Sequence, residues 1–379
     1  MNELHYFSGI SSDVDAKVIV DNLTELGLAA MSRDYGSTGL AMKFSIEPSE
    51  YNKKNNETRK AILSYCGAKA GIPEITETRH ILNAFDNPTF ESVYNAIFTE
   101  SLLGIMTKTD SNAISIFANI DSVDVGNSLT YYIETKGLPI AQRNSYMSNV
   151  TFLDGAATQA ITVTPKVYST GTAVDVIRML KGDIDMGKEI ARVAMSILYK
   201  QYELCVSQIT NTSLISTTPL YRANFTSANY INTITYLQAL NNAGVRAYGT
   251  LPALNAISAI ATNSYGFASQ DEVLRLGFLS VAYGIPHVIL QQATDGSAPL
   301  GTTDTTAQKT MLLPTNLVFL LADTGDKPVK LVRENYIRVI NTPSNYNSIN
   351  RREYQYFVAF DAAIATQAHY GIQNTAAGG

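Results

Sequence analysis

Two short alternating patterns in the middle of the chain are separated by a long stretch that has no pattern of its own. Apolar and polar residues alternate from Leu129 to Glu134 and again from Ile161 to Val167, which predicts a pair of strands. Residues 135–160 between them are polar and contain Gly and Asn. Loops this long are uncommon inside compact domains and usually have a function or an external partner. Each arm could reach roughly 60 Å, at about 3.3 Å per residue over some 20 residues, so we expect this hairpin to lie on a neighbouring subunit.

The strongest helical pattern follows, from Thr172 to Ile209. Its apolar residues fall near a 3.6-residue period; they are Ile177, Leu180, Ile184, Ile190, Ala194, Ile197 and Cys205. Thr172 or Asp175 is expected to cap its start. At 1.5 Å per residue the helix would be roughly 45 Å long, and Gly182 and Gly187 are expected to bend it.

The rest of the chain mixes the two periodicities, which predicts the α+β class. Helical patterns separated by polar stretches occupy the first 90 or so residues, and another helix is expected from Thr89 to Met106 after Pro88. Residues 213–330 alternate helices and strands, with helices over 227–243 and 253–262 and buried strands over 288–290 and 317–321. A strand around Ile337, a polar loop over 341–347 and an alternating strand over 354–360 complete the pattern.

The composition favours a surface that associates with other protein. Charged residues make up 16% of the chain, against about 25% in a typical soluble domain. There are 22 Tyr and no Trp, and protein contacts favour Tyr while they disfavour Lys, Glu and Asp. Much of the polar surface is therefore expected to be uncharged.

Charge and cysteine content exclude several other classes. A net charge of −5 argues against a nucleic-acid-binding face, so any contact with DNA should be loose and non-specific. Cys66 and Cys205 lie far apart in the sequence, which suggests neither a disulfide framework nor a zinc site. No apolar run approaches the roughly 20 residues that cross a bilayer, and no signal peptide is evident. We expect a soluble chain, made in the cytoplasm, without membrane contact.

Two local segments resemble the major capsid protein of tailed double-stranded DNA phages, which has the Hong Kong 97-type fold. Residues 272–286, from Glu-Val-Leu-Arg-Leu-Gly-Phe to Gly-Ile-Pro, are similar to a segment of the family's axial A-domain. Residues 354–372, from Tyr-Gln-Tyr-Phe-Val-Ala-Phe to His-Tyr-Gly-Ile, are similar to its closing strand and tail. With the order of elements, the resemblance covers roughly residues 120–372, whereas the first 90 residues depart from the compact members of the family.

The resemblance implies a complete domain layout, which we take as an expectation. The segments are an N-terminal arm with small helices (1–90), the start of the peripheral P-domain (91–127), the E-loop hairpin (128–168), the P-domain spine helix (169–212), the A-domain (213–330), P-domain strands with a P-loop (331–353), and a closing A-domain strand with the tail (354–379). The first segment could be a long arm, an inserted helical subdomain or a scaffolding-like pre-sequence.

The resemblance also implies partners and a location. The chain would assemble with copies of itself into pentamers and hexamers of an icosahedral virion capsid in the host cytoplasm, with portal and scaffolding proteins as further partners and packaged double-stranded DNA inside. Contacts between subunits are expected from the E-loop and the P-loop region; the candidates are Lys136, Arg143, Tyr146, Asn345, Tyr346, Asn347, Arg351 and Arg352.

No catalytic, cofactor or metal site is predicted. The four His are scattered, and the usual nucleophile, phosphate-loop and zinc motifs do not occur. Asp183 with Asp185, and Asp121 with Asp124, are interpreted as solvated carboxylates. In some members of that capsid protein family, a Lys of the E-loop and an Asn of the P-domain form an isopeptide bond. Here Lys136 lies near the base of the loop and not at its tip, so we do not expect self-crosslinking.

Two other functions remain open from the sequence. An encapsulin-like compartment would use the same fold to hold cargo enzymes. An α/β enzyme with a ligand pocket in residues 213–330 would belong to another class, and it should behave as a small oligomer.

Overall fold

The computed structural model describes residues 13–36, 41, 43–72, 75, 78–109, 113–134, 158–175, 178, 181–211, 220–262, 266–292, 312–343 and 351–376. The helices in these ranges are α1 (Val14–Tyr35), α2 (Pro48–Ala70), α3 (Thr78–Phe85), α4 (Pro88–Thr109), α5 (Ile114–Phe117), α6 (Met186–Thr210), α7 (Ser227–Asn241), α8 (Leu251–Thr262) and α9 (Gly266–Leu276). The strands are β1 (Ala118–Val123), β2 (Leu129–Glu134), β3 (Thr158–Val163), β4 (Lys166–Asp175), β5 (Leu220–Asn224), β6 (Val245–Gly249), β7 (Val281–Ala282), β8 (Ile285–Ile289), β9 (Leu317–Ala322), β10 (Val329–Pro343), β11 (Arg351–Ile364) and β12 (Tyr370–Asn374). The predicted α+β class is confirmed.

The N-terminal helices are long and belong to the main core. α1 has 22 residues and α2 has 23, and both pack with α4 around α6. Leu23 and Leu28 of α1 and Ile62 of α2 are at most 2% exposed within the largest hydrophobic cluster. The described N-terminal helices are therefore part of the main core, whereas an arm with small helices was expected for the first 90 residues.

Close backbone packing joins α1 to the start of α6. A Cβ atom on Gly187 would lie 2.9 Å from the carbonyl oxygen of Leu26 and 2.4 Å from the hydroxyl of Tyr51. Tyr51 of α2 donates a hydrogen bond from that hydroxyl to Oδ1 of Asp185, at 2.7 Å. Three helices therefore meet at one point, and a glycine there leaves room for them.

The long helix begins later than predicted, because residues 172–175 at its expected start are a strand. Residues from Thr172 to Asp175 belong to β4 and pair with β11, where Thr172 lies opposite Tyr354. The chain then turns at Gly182, whose φ of +98° is in the left-handed region that favours glycine. Asp185 caps α6 by accepting hydrogen bonds from the backbone N–H groups of Gly187 and Lys188. The predicted caps Thr172 and Asp175 were wrong, and α6 has 25 residues.

Other predicted helix ends are confirmed closely. α4 begins at Pro88, where the side chain of Asn87 accepts from the backbone N–H of Thr89 at 2.9 Å. α7 begins after Thr226, whose hydroxyl accepts from Asn229 N–H, and ends at Asn242 with a left-handed φ of 49°. A short polar residue that caps the first turn is the local signal that both helix starts share, and α4 adds a proline at its first position.

A four-stranded sheet lies against α4 and α6, with strand order β1-β10-β11-β4. β1 runs parallel to β10, and the other pairs are antiparallel. Residues 354–364 were expected in the closing A-domain strand; they belong instead to β11 of this sheet, because they pair with β10 on one side and β4 on the other. The strand that joins the second sheet is β12.

The second sheet has six strands in the order β5-β12-β9-β6-β8-β7. α7 packs on its β5, β12, β9 and β6 strands, and α8 contacts β8 and β9. Its core holds Tyr230, Ile234 and Leu254 with Val318 and Leu320 of β9. β12 is inserted between β5 and β9, so the C-terminal residues complete the sheet that begins near residue 220.

A buried polar network joins the two sheets. Lys330 of β10 is 8% exposed, and its ammonium contacts Oδ1 of Asp326 at 2.5 Å and Oδ1 of Asn119 at 2.7 Å. Oδ2 of Asp326 accepts from the hydroxyl of Thr366 at 2.7 Å and from the backbone N–H of Gln367 at 2.9 Å. Thr366 and Gln367 lie between β11 and β12, so this network fixes the chain where it passes from one sheet to the other.

His287 of β8 is buried in the six-stranded sheet at 5% exposure, and its Nε2 lies 2.9 Å from the hydroxyl of Tyr230. Burial lowers the pKa of His287 from 6.5 to about 4. The unfolded chain therefore binds a proton at higher pH than the folded chain, so stability is complete above about pH 6.5 and falls as the pH approaches 4.

We expect unassembled subunits to lose about 2 kcal/mol of unfolding free energy between pH 8 and pH 5 through this residue. His287→Gln should remove that part of the pH dependence in urea unfolding at the two pH values. His369→Gln is the control, because burial lowers the pKa of His369 at a site that is less enclosed. Equal pH dependence in the wild type and in His287→Gln would contradict the assignment.

Candidate intersubunit contact surfaces

The predicted hairpin is present as a separate two-stranded sheet. β2 and β3 are antiparallel, with Leu129 opposite Val163 and Glu134 opposite Thr158. Within the described residues neither strand pairs with another sheet. A two-stranded hairpin alone is marginally stable in water, and Tyr132 on its surface is 70% exposed. In the part of the hairpin that the structure describes, the side chain of Tyr132 is therefore left uncovered.

Most of the predicted contact residues lie outside the described residues. These are Lys136, Arg143 and Tyr146 of the E-loop and Asn345, Tyr346 and Asn347 of the P-loop region. Their role in subunit contacts stays a prediction, as does the expectation about self-crosslinking through Lys136.

Arg351 and Arg352 were expected in the P-loop region but are the first two residues of β11. Arg351 lies opposite Asp175 and Arg352 lies opposite Val174 on β4. Arg352 also lies opposite Pro343 on β10. Strand pairing with β4 fixes the backbone of both residues, and Arg352 has a partner on β10 as well, so they belong to the sheet.

The base of the hairpin is attached to the four-stranded sheet by hydrogen bonds and an ion pair. The hydroxyl of Tyr131 donates to Oδ2 of Asp121 on β1, at 2.5 Å. Where the chain enters β4 after β3, Nζ of Lys166, the first residue of β4, lies 2.8 Å from Oδ2 of Asp361 on β11. Burial and the hydrogen bond to Asp121 raise the pKa of Tyr131, so its hydroxyl remains a donor.

Two of the carboxylates considered for acid–base chemistry have structural partners. Asp121 accepts from Tyr131, and Asp185 accepts from Tyr51 and caps α6. Burial raises the pKa of both Cys66 and Cys205 to about 12, so these thiols stay protonated at neutral pH. Within the described ranges, no cluster of His, Cys, Asp and Glu has the arrangement of a metal site.

β4 is an edge strand of the four-stranded sheet, and a cleft of about 280 Å³ runs between it and α6. Tyr168 stacks on Phe360 with ring centroids 4.5 Å apart and 18° between the planes. The hydroxyls of Thr170 and Ser196 are 3.0 Å apart across the cleft. Val167 at the start of β4 is 69% exposed. Among the described residues, this side of the sheet therefore combines a strand edge that pairs with no further strand and apolar surface.

The six-stranded sheet domain carries little charge. Between Ala223 and Thr294 the charged residues are Arg246, Asp271, Glu272 and Arg275. Among its exposed apolar side chains, two groups stand out: Ile231, Tyr236 and Leu240 on α7, and Leu274, Leu276 and Val281 on α9 and β7. Depletion of charge with exposed aromatic and aliphatic residues is typical of surfaces that become buried in a protein interface.

Sequence reasoning did not find the attachments at the hairpin base or the network around Asp326. Asp121 was noticed only as one of a pair of acids. The alternation in β2 does put Tyr131 and Tyr132 on opposite faces, but a single strand pattern does not say which polar group an inward Tyr will meet.

None of the helices in the described ranges is long and apolar enough for a membrane span.

Comparison with known proteins gives a family and several distant structures. The sequence model of the family described as "SPbeta prophage-derived putative capsid protein YonB" matches residues 36–372. None of the curated proteins compared with the chain matches it significantly.

The solved structures are similar at low identity. One is the capsid of a native GTA particle, at 11% identity over 69% of this chain and 89% of that chain, with a TM-score of 0.47. Others are a virus-like particle from Pyrococcus furiosus (11% identity, 72% and 97% of the two chains, TM-score 0.43) and Gordonia phage Cozz (13% identity, 69% and 85%, TM-score 0.43). Likeness at these scores does not by itself decide a shared function.

The family match begins after α1 and ends within β12. It includes the hairpin, α6 and both sheets, which are the elements that the expected capsid layout requires. The chain therefore belongs to the family of the SPbeta prophage-derived putative capsid protein YonB.

Proposed function

We propose that the chain is a structural subunit that assembles with copies of itself into the closed shell of a phage-type capsid. The observation that carries the proposal is the hairpin of β2 and β3, whose described residues form a sheet of their own and are attached to β1 through Tyr131. Such an element gains its remaining contacts from a neighbour. Membership of a capsid protein family supports the same function.

The two exposed apolar surfaces of the six-stranded sheet domain suit ring formation. A ring requires that one surface of a subunit contacts a different surface of the next. α7 offers Ile231, Tyr236 and Leu240, whereas the corner of α9 and β7 offers Leu274 and Val281. We propose that these two surfaces meet around fivefold and sixfold axes, as pentamers and hexamers require. Burial of apolar area at roughly 25 cal/mol per Å² would stabilise each contact.

The predicted cargo and further partners follow from the same proposal. A chain with a net charge of −5 would touch packaged double-stranded DNA loosely and without sequence preference. Portal and scaffolding proteins would complete the shell, which would assemble in the host cytoplasm. We propose no catalytic role for the chain.

The test is to remove the outer part of the hairpin without opening its base. Glu134 and Thr158 lie directly opposite each other, so replacing residues 135–157 by Asn-Gly should close β2 and β3 with a two-residue turn. We expect the shortened subunit to fold, with circular dichroism and a melting temperature close to the wild type, and to lose shell formation in negative-stain microscopy.

Shells of normal size from the shortened chain would contradict the role of the hairpin.

Size-exclusion chromatography of the full chain checks the broader proposal, since a small, stable oligomer that never forms shells would favour the α/β enzyme. Particles isolated from the producing cells should contain double-stranded DNA, whereas a protein cargo would favour the encapsulin-like compartment.

A further inference from the structure

The two legs of the hairpin leave the four-stranded sheet at the same level, midway along β10 and β11, but from opposite edges. β1 leads into β2, and its last residue, Val123, lies beside Glu334 of β10. β4 follows β3, and its first residue, Lys166, lies beside Phe360 of β11. Because β1 and β4 are the outer strands, the hairpin base spans the two central strands β10 and β11. The register of β10 against β11 shifts between Arg333 and Ile337, at the same level of the sheet.

Polar contacts attach both legs at this level. The hydroxyl of Tyr131 donates to Oδ2 of Asp121, at 2.5 Å, across the turn that joins β1 to β2. The backbone N–H of Gly126 in that turn donates to Oε1 of Glu334, at 2.9 Å. The other leg has the ion pair of Lys166 with Asp361. Each contact ends on a carboxylate of the four-stranded sheet, so the attachment is directional.

Tyr131 is the contact best placed to set the angle of the hairpin. Its neighbour Tyr132 points to the other face of β2 and is 70% exposed, whereas Tyr131 is partly buried against β1. Lys166 is 71% exposed at its side chain, and an ion pair with so exposed a partner restrains little. Gly126 fixes the turn but lies before the first residue of β2. Tyr131 is within the strand and therefore restrains the strand itself.

We infer that the hydrogen bond from Tyr131 to Asp121 sets the direction in which the hairpin leaves the subunit, and that Tyr131 is thereby a positioning residue for the geometry of the shell. This inference rests on the proposed capsid function. A strand of six residues is about 20 Å long, so a turn of about 10° at its base moves its outer end by about 3 Å. A displacement of that size exceeds the tolerance of a hydrogen bond to a neighbouring subunit.

The experiment compares Tyr131→Phe with Tyr132→Phe, which remove the same hydroxyl group from adjacent residues. Assembled particles are measured by cryo-electron microscopy, and unassembled subunits by thermal unfolding. We expect Tyr131→Phe to give shells whose spread of diameters is at least about twofold wider than the wild type, because the hairpin angle varies between subunits. Tyr132→Phe should give shells as uniform as the wild type.

Asp121→Ala breaks the same hydrogen bond from its other end and should give the same broadening. The double variant should be no broader than either single variant, as expected when two residues act through one contact. The inference is overturned if Tyr131→Phe and Asp121→Ala lower the melting temperature but leave the diameters as uniform as the wild type, which is the result of a purely structural role. If the wild-type chain forms no shells at all, it is the proposed function that fails.

Discussion

Gly187→Ala is expected to destabilise the subunit by about 3 kcal/mol, at the upper end of the usual cost of overpacking. A Cβ atom at this position would meet the carbonyl oxygen of Leu26 at 2.9 Å and the hydroxyl of Tyr51 at 2.4 Å. The carbonyl belongs to the backbone of α1 and cannot move without shifting that helix. Tyr51 can move, but its hydroxyl would then lose the hydrogen bond to the N-cap residue Asp185.

Two other glycines provide graded comparisons for chemical unfolding. Gly27→Ala should cost about 1–2 kcal/mol, since its Cβ atom would meet side-chain atoms of Ile105 and Ile190 and no backbone, and the end of the Ile105 side chain can give way. Gly36→Ala should be neutral or slightly stabilising, because nothing lies within 4 Å and its φ of −60° suits any residue. Equal effects of alanine at Gly187 and Gly36 would contradict the close packing of α1 against α6.

This packing also explains why the N-terminal region was hard to interpret from the sequence. The pattern around Leu23 and Leu28 predicted a helix, and α1 is that helix. A helix pattern shows that one face is apolar but not what it packs against. The partner of α1 is α6, about 150 residues later in the chain, so an arm and a core helix looked alike in the sequence.

The start of the long helix shows how tertiary contacts override a local pattern. Ile177 and Ile184 lie near the helical period of the residues that follow, so the helix was extended back to Thr172. Residues 172–175 are nevertheless a strand, since they complete the pairing of β4 with β11. Strand formation depends strongly on such neighbours. The pair β2 and β3 was predicted from its alternation, but the expected return strand 161–167 is divided: β3 ends at Val163, and Val167 belongs to β4 of the four-stranded sheet.

The candidate contact surfaces were predictable only in part. The position of the hairpin and the low charge of the second sheet domain follow from residue patterns along one segment. The bond between Tyr131 and Asp121 and the network around Asp326 join segments through side chains, and no spacing rule relates them. The residue types at subunit contacts could be proposed from composition, whereas the side chains that orient those contacts could be identified only from the fold.

The largest electrostatic effect is expected for Asp326→Ala, at about 3 kcal/mol of unfolding free energy. Removing one partner of a buried ion pair costs about 3–5 kcal/mol because the other charge remains buried. The side chain of Lys330 is 10% exposed and that of Asp326 is 37% exposed, which places the cost at the lower end. Thr366 and Gln367 would also lose their acceptor, so the connection from β11 to β12 should loosen.

Two further variants separate the buried charge from general damage at this turn. Asp323→Ala removes a partner of Arg246 in an ion pair whose side chains are 48% and 53% exposed, and it should cost less than about 1 kcal/mol. Adding Lys330→Met to Asp326→Ala should recover much of the stability, because no unpaired ammonium then remains buried.

Acid should reproduce part of the Asp326→Ala effect in the wild type. Burial alone would raise the pKa of Asp326, but hydrogen bonds from Lys330, Thr366 and the N–H of Gln367 outweigh it and hold the pKa below 3.8. Stability from this carboxylate is therefore present above its unfolded pKa and is lost as the pH falls through the lower folded value.

Urea unfolding of the wild type, Asp326→Ala, Asp323→Ala and the double variant measures the change in unfolding free energy that each substitution causes. If Asp326→Ala costs no more than Asp323→Ala, the network does not hold the two sheets together, and their arrangement must depend on the apolar contacts of β9 and β12 instead.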